Sequence, residues 1–345
     1  MQGIRRYCGI AEESSFGVTP SPAAVVHLDI ASSSLDAPSD PNIIYDGGAR
    51  RTARIYRPGY YSCSGNVVYG LDIRTIGWLL KWGLGSYEFT NAGGEGTLNL
   101  HEIWGTEDIY LPSFCSRIGK DLFEHVFSGC VINSLEISVG DALCMATADI
   151  AAKADAKAAL QTGTLLFPDE YPLAFHEVKA YLIGEGVGSS DLDISAKVKE
   201  LTLSINNNAS ADQGKHIGSR FPSKIPVNDR ATTLAMSLFF EDTDMLERMW
   251  GSAVGPSACG SDTYGVKLVI DTNPCSEHGK LTITLPKVVN TATTQQPSGR
   301  SEMVQSVECR ALMDTLTLAD ATEIEGEILC SLENNQGEME PVSGT

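Results

Sequence analysis

The sequence predicts a mainly β protein, with antiparallel sheets in two related modules that are each flanked by one short helix. Two observations carry that reading. Apolar and polar residues alternate along most of the patterned stretches, giving each strand one core face and one wet face, as in antiparallel sheet. In addition, a strand–helix pattern closing on Trp-Gly occurs twice, about 168 residues apart. A period that long suits a duplicated domain rather than a solenoid. Chance recurrence of a common strand–helix unit is the competing account.

The first copy runs Val67-Val68-Tyr69-Gly70-Leu71-Asp72 into Ile73-Arg74-Thr75-Ile76-Gly77-Trp78-Leu79-Leu80-Lys81-Trp82-Gly83. Asp72 is placed to cap the helix, and Ile73, Ile76, Leu79 and Leu80 form its apolar stripe. Residues 112–129 read as a hairpin, with Ile118-Gly119-Lys120-Asp121 as its turn. In residues 131–139, Val131, Leu135, Ile137 and Val139 share one face, and Ser134, Glu136 and Ser138 share the other.

Residues 142–160 are ambiguous. Their Ala, Lys and Asp content favours helix by propensity, and the same stretch suits a strand ending near Ile150 with an exposed connector to Pro172. The strand-and-connector reading is preferred, and it sets the boundary between modules at residues 1–160 and 161–345. Beyond it, Leu201, Leu203 and Ile205 alternate with Thr202 and Ser204. The second copy of the repeat runs from Leu234 through Glu241 and Asp242 to Met249-Trp250-Gly251, with Met245, Leu246, Met249 and Trp250 as its stripe. Trp82 and Trp250 are both expected to be largely buried, the alternative being exposure at a partner interface. Residues 281–285 and 315–318 continue the alternation.

Each module also carries a long polar loop ahead of the strand that enters its helix, at residues 35–64 and 206–232. Loops of this length inside a compact domain are functional or disordered. Arg50, Arg51, Arg54 and Arg57 lie in the first, and Lys215, Arg220, Lys224 and Arg230 in the second. Three acids oppose the first set and two the second, so both loops are net positive in a chain of net charge −19. A solvated charged loop is the bland reading. Arg54-Ile55-Tyr56 and Phe221-Pro222 supply apolar anchors that argue against simple disorder.

The chain has 345 residues, 42% hydrophobic and 20% charged, enough for one large domain or two ordinary ones. No apolar run reaches the length of a membrane span and residues 1–16 lack a signal core, which predicts a soluble protein made in the cytoplasm. Nine cysteines with no CxxC pair predict reduced, mostly buried thiols. Acids outnumber bases 44 to 25, which argues against a protein that reads nucleic-acid sequence, since such proteins neutralise phosphates. The excess acid either solvates the surface or repels something already anionic.

Catalytic signals are weak. His101-Glu102 and His176-Glu177 each open like a zincin motif, and neither has the second histidine one turn later. Gly119-Lys120 and Gly214-Lys215 lack the remainder of a phosphate loop, and there is no GxSxG elbow. The reading is a non-enzyme with no metal and no cofactor.

Three stretches resemble one family. Tyr7-Cys8-Gly9-Ile10-Ala11-Glu12-Glu13-Ser14-Ser15-Phe16-Gly17-Val18-Thr19-Pro20 resembles the N-terminal signature of phage tail tube proteins. So do residues 59–70 followed by Leu79-Leu80-Lys81-Trp82-Gly83-Leu84-Gly85, and the hairpin from Pro112-Ser113-Phe114 to Phe127-Ser128-Gly129-Cys130-Val131-Ile132-Asn133-Ser134-Leu135-Glu136-Ile137-Ser138. Each motif is degenerate, and their order and spacing carry the likeness. It spans most of residues 7–150 and is looser beyond.

The resemblance implies β-sandwich modules whose sheets join, in a ring of subunits, into a β-barrel lining a channel. It implies rings stacked into the virion tail tube through which DNA is delivered, assembled in the host cytoplasm. Partners would be further copies of the chain, the tape measure protein, the tail terminator, and genomic DNA passing without specific binding; no membrane is involved. With two modules per chain, three chains would make a pseudo-hexameric ring, favoured over a true hexamer. An acidic wall would let DNA slide, with Glu136 a candidate for the lumen. The eight basic loop residues would contact an adjacent ring or subunit, the loops ordering only as rings stack. A β-rich receptor-binding or tail decoration protein is the alternative, and it would need an exposed aromatic or concave surface.

Overall fold

The computed structural model describes residues 7–21, 26–37, 41–45, 52–53, 55–91, 93, 98–161, 165, 172–272, 279–295 and 303–339. The chain is mainly β, every strand pair being antiparallel, with two short α-helices. Seven strands of the first half neighbour one another in the order Val26–Leu28, Cys8–Glu12, Phe114–Lys120, Phe123–Val139, Met145–Ala152, Cys63–Gly70, Ile30–Ser33. Seven of the second half follow the same order: Leu192–Asp193, Val178–Ile183, Thr263–Asp271, Lys280–Gln295, Val304–Leu312, Ala231–Phe239, Val198–Asn206. Three irregularities in register also recur. They fall between Phe127 and Cys130, Ile132 and Ser134, and Ile30 and Ser32, and again between Leu285 and Val288, Asn290 and Ala292, and Val198 and Glu200.

The two longest strands, Phe123–Val139 and Lys280–Gln295, each pass from one layer of sheet to the other. Bulges at those corners bend the strand and let one chain segment serve both layers. The bulge at Asn133 also changes which side chains look inward. Leu135, Ile137 and Val139 line the main core as the alternation predicts, while Val131 joins a smaller cluster with Leu111, Ala151 and Ile225. An alternating reading that ignores the bulge puts Val131 on the wrong side of the corner.

The two halves are joined by a seam of backbone pairing. Residues 134–139 pair with residues 201–206, from Ser134 opposite Asn206 to Val139 opposite Leu201. The result is one sheet of eight strands, in the order Ile30–Ser33, Cys63–Gly70, Met145–Ala152, Phe123–Val139, Val198–Asn206, Ala231–Phe239, Val304–Leu312, Lys280–Gln295. Leu135, Ile137, Leu201, Leu203 and Ile205 are all buried along the seam. A second connection crosses the halves. The hairpin Gly85–Thr90 with Asn99–Gly105 adds to Leu329–Asn334, which pairs with Lys280–Gln295.

Helix α1 spans Ile76–Leu84 and α2 spans Asp244–Trp250. Asp72 caps the turn 73–75 that leads into α1 rather than the helix itself, whose N-cap is Thr75: the Oδ1 of Asp72 accepts the amides of Arg74 at 2.9 Å and Thr75 at 2.8 Å. The helix runs one residue past Trp82-Gly83 and ends at Gly85, whose φ of 94° suits glycine. Ile76, Leu79, Leu80, Trp82 and Leu84 are buried. In α2 only Met245 is fully buried, and Trp250 is half-buried rather than enclosed as its counterpart is. The difference has a local cause. Helix α1 is covered by the strands Gly85–Thr90 and Asn99–Gly105 and by Leu332 and Met339, whereas α2 is followed by the irregular stretch 251–262.

Two further expectations need correction. The turn of the first hairpin is not residues 118–121. Gly119 pairs with Glu124 and Lys120 with Phe123, so Asp121 and Leu122 make the turn, Asp121 at φ 50°. Residues 145–152 are strand, ending two residues past Ile150, but the exposed connector does not begin there. Met145–Ala152 is followed by Ala154–Ala158, which pairs with residues 124–128 and leaves the connector to begin later.

Candidate assembly surfaces

The eight-stranded sheet has one buried face and one bare face. On the bare face, successive strands present small polar side chains: Ser32, Ser64, Asn66, Thr147, Ser134, Ser138, Thr202, Ser204, Thr233, Ser237, Ser306 and Thr294. Its charged positions are Asp36, Asp149, Glu136, Glu200 and Glu308 against Arg310, with Lys199 at the adjoining bulge. Glu136 is exposed there between Thr147 and Ser204.

The two long loops differ. Arg50, Arg51 and Arg54 lie outside the described residues. Around them, Pro41–Ile44 and Ile55–Pro58 form a separate two-stranded ribbon that carries Arg57 opposite Asn42. All four residues of Ile55–Pro58 are exposed. Ile43, Ile44, Tyr45, Ile55 and Tyr56 are exposed too, Tyr45 at 66% and Tyr56 at 61%. An isolated ribbon is marginal in water, and one with an apolar surface is built to be covered.

The second loop is fastened within the chain. Its Tyr61 contact is a backbone bond, Tyr61 N to Arg220 O at 2.8 Å, and Tyr60 donates its hydroxyl to Ala211 O. Lys215 pairs with Asp212 at 2.8 Å and sits 4.3 Å from the Tyr60 ring. Arg220 donates to Gly59 O at 2.9 Å and lies over Tyr61, and Lys224 is 4.4 Å from the Tyr110 ring. Asn207 starts the loop with bonds to Gly83 O at 2.8 Å and Ile132 O at 3.1 Å. The four cations of the second loop therefore bridge the two halves of one chain.

Arg230 closes this arrangement. It pairs with Glu327 and donates to Thr106 O at 3.1 Å, lying across Gly105, where a Cβ would come within 2.1 Å of the guanidinium. Arg230→Met is expected to lower stability by about 1–3 kcal/mol, since it leaves a poorly solvated carboxylate and carbonyl without their donor. Urea denaturation checks it, and a neutral result would show that water replaces the guanidinium.

A family model described as phage tail tube protein matches residues 3–311. The chain belongs to that family. No curated protein matches it.

In this tail tube protein the N-terminal signature has a physical basis that the sequence alone did not reveal. Glu12 and Glu13 are buried. Glu12 accepts from Lys81 Nζ at 2.7 Å and Trp82 Nε1 at 3.1 Å, tying the first strand to α1, and Lys81 also donates to Met339 O. Glu13 accepts from Gly17 N at 2.7 Å, Ser113 Oγ at 2.8 Å and Gly129 N at 2.8 Å. Burial pushes the Glu13 carboxyl above its ordinary value, against the pull of those donors. Gly17 and Gly129 both have positive φ, which explains their place in the motif. A third cluster joins Tyr61 and His125 to Asp155, with His125 Nε2 2.6 Å from the carboxylate. Burial alone would raise Asp155, yet the bonds from Tyr61 and His125 bring it below its ordinary value. Apart from Gly17, the partners of Glu12 and Glu13 lie 69 or more residues away in sequence, and only the fold brings these groups together.

Proposed function

We propose that three chains close into a ring whose six modules present their bare sheet faces to a central channel, and that such rings stack into the tube for phage DNA. The proposal takes residues 1–160 and 161–345 as tandem modules, on the strength of the recurring strand order and recurring bulges. The observation that carries it is the uninterrupted eight-stranded sheet with one bare, acid-rich face. Like charges repel within a Debye length of about 8 Å at physiological salt, so an acidic wall of small polar side chains gives DNA little to adhere to.

Within this reading the first-loop ribbon and Arg50, Arg51, Arg54 and Arg57 are stacking arms toward the adjacent ring or subunit. Lys215, Arg220, Lys224 and Arg230 serve the equivalent boundary inside the chain. The tape measure protein and the tail terminator would meet the tube at its lumen and its end, in assembly in the host cytoplasm. The exposed Tyr45 and Tyr56 also favour a second reading, a receptor-binding or decoration protein. Negative-stain imaging separates the two: stacked rings of threefold symmetry support the tube, sixfold rings end the duplication argument, and dispersed single chains favour decoration.

The channel is tested by charge. Replacing Glu136, Glu200 and Glu308 together by Lys is expected to leave rings intact and to slow DNA release from assembled particles several-fold. Unchanged release kinetics at low ionic strength would remove the electrostatic rationale for the wall.

A further inference from the structure

The seam inside the chain is a template for one that the chain does not fill itself. In the first half, residues 134–139 leave the layer shared with Phe114–Lys120 and pair with residues 201–206. The corresponding stretch of the second half is the end of Lys280–Gln295. Its pairing with Thr263–Asp271 stops at Val289, and among the described residues no strand lies on that side of residues 292–295. At the other end of the eight-stranded sheet, the bridge Asp36–Ser64, which continues the strand Ile30–Ser33, likewise has a partner on one side only among the described residues. That edge is the counterpart of residues 198–206, as the shared bulge shows.

We propose that these two edges pair between neighbouring chains, with Thr293 opposite Ala37, Thr294 opposite Asp36 and Gln295 opposite Leu35. The register follows from carrying Ser134–Asn206 and its neighbours onto the equivalent positions, aligned by the bulges. The partner is a second copy of this chain, a claim that rests on the ring reading and specifies its joint.

Three further observations support the pairing. Asp36 and Ser64 exchange both backbone bonds, at 3.3 and 3.1 Å. In an antiparallel strand the groups of Leu35 and Ala37 then point the opposite way, toward the edge. Among the described residues their amides meet only side chains one or two residues away, Ser33 Oγ at 3.3 Å and Asp36 Oδ1 at 2.9 Å. At the other edge, Thr293 Oγ1, Gln295 Nε2 and the neighbouring Gln305 Nε2 are buried without a hydrogen-bond partner among the described residues. Buried polar atoms are normally satisfied, and a docked strand brings donors and acceptors to that edge.

The two seams are unequal. Leu135 and Ile137 face Ile205 and Leu203 inside the chain, where all four are buried. The joint between chains sets Thr293 against Ala37 and Gln295 against Leu35, with Gln305 where the first half has Ala146. The outer seam is the polar, separable one. Rings should open there into single folded chains, and the inner seam should yield only with unfolding.

The test uses the full chain with Cys259, an exposed thiol, replaced by Ser. Asp36→Cys and Thr294→Cys together place two exposed residues opposite each other in a non-hydrogen-bonded pair, where Cα atoms about 4.5 Å apart suit a disulfide. Within one chain they lie at opposite ends of the sheet, seven strand spacings or about 34 Å along it, so only neighbours can link. Oxidised rings should give dimers and closed trimers on a non-reducing gel and nothing larger. Either single variant should give none, and Asp36→Cys with Ala292→Cys, two residues out of register, should link at least tenfold less. Rings that form without the Asp36–Thr294 link, or that link better through Ala292, overturn the seam and leave the tube standing. No rings and no link overturn both. In dilute urea, native mass measurement should find folded single chains before unfolding begins. Rings that persist until the chains unfold would refute the inequality of the seams.

Discussion

Trp82→Ala is expected to destabilise the folded chain by about 3–5 kcal/mol, the range for emptying a fully buried large aromatic site. Trp82 is completely enclosed, stacks on Phe114 with centroids 4.3 Å apart and planes 5° from parallel, and donates to Glu12 at 3.1 Å. The substitution therefore opens a cavity and strips a buried carboxylate of one donor. Trp250→Ala should lose clearly less, because Trp250 is half-buried and no ring stacks on it among the described residues. Urea denaturation of both variants decides the point. Equal losses would mean that the second helix is covered in a way the single chain does not provide.

Replacing Arg50, Arg51 and Arg54 together by Ser should leave folded subunits that form rings but no long tubes. Exposed ion pairs contribute about 0–1 kcal/mol each, so no one arginine decides stacking, and repetition around a ring multiplies the effect. The matched variant in the second loop, Lys215, Arg220 and Lys224 to Ser, should act differently. Those cations contact Asp212, Tyr60, Gly59, Tyr61 and Tyr110 of the same chain, so their loss should lower stability and leave stacking unchanged. Tube length by electron microscopy and urea midpoints together score the pair. Normal tubes from the first variant at physiological salt would remove the electrostatic account of stacking.

Strand faces were legible in the sequence wherever alternation runs unbroken, as in Leu201, Leu203 and Ile205 or Leu281, Ile283 and Leu285, all buried. The Asp72 cap was legible in kind, because a carboxylate before an amphipathic run accepts backbone amides, but it closes the turn before α1 and not the helix itself. Bulges were not, since one extra residue leaves composition unchanged while it inverts the faces, and Val131 was misassigned on that account. The burial of Trp250 was misjudged because a stripe specifies which side of a helix packs and not what arrives to cover it. Nor could the fate of the loop cations be read. The two loops carry four cations each, and the aromatic rings that receive Lys215, Arg220 and Lys224 lie far away in sequence.

The hairpin Gly85–Thr90 with Asn99–Gly105 has a consequence for synthesis. Trp104 pairs with Leu329, so a strand made early waits for one made 225 residues later. The separation of 225 residues corresponds to roughly 10–45 s of translation at ordinary elongation rates. Throughout that interval the nascent chain holds an open edge and an uncovered α1, a natural target for chaperones and for pairing with other nascent chains. Messages that slow the ribosome between residues 105 and 329 should lower soluble yield more than equal pauses placed before residue 85.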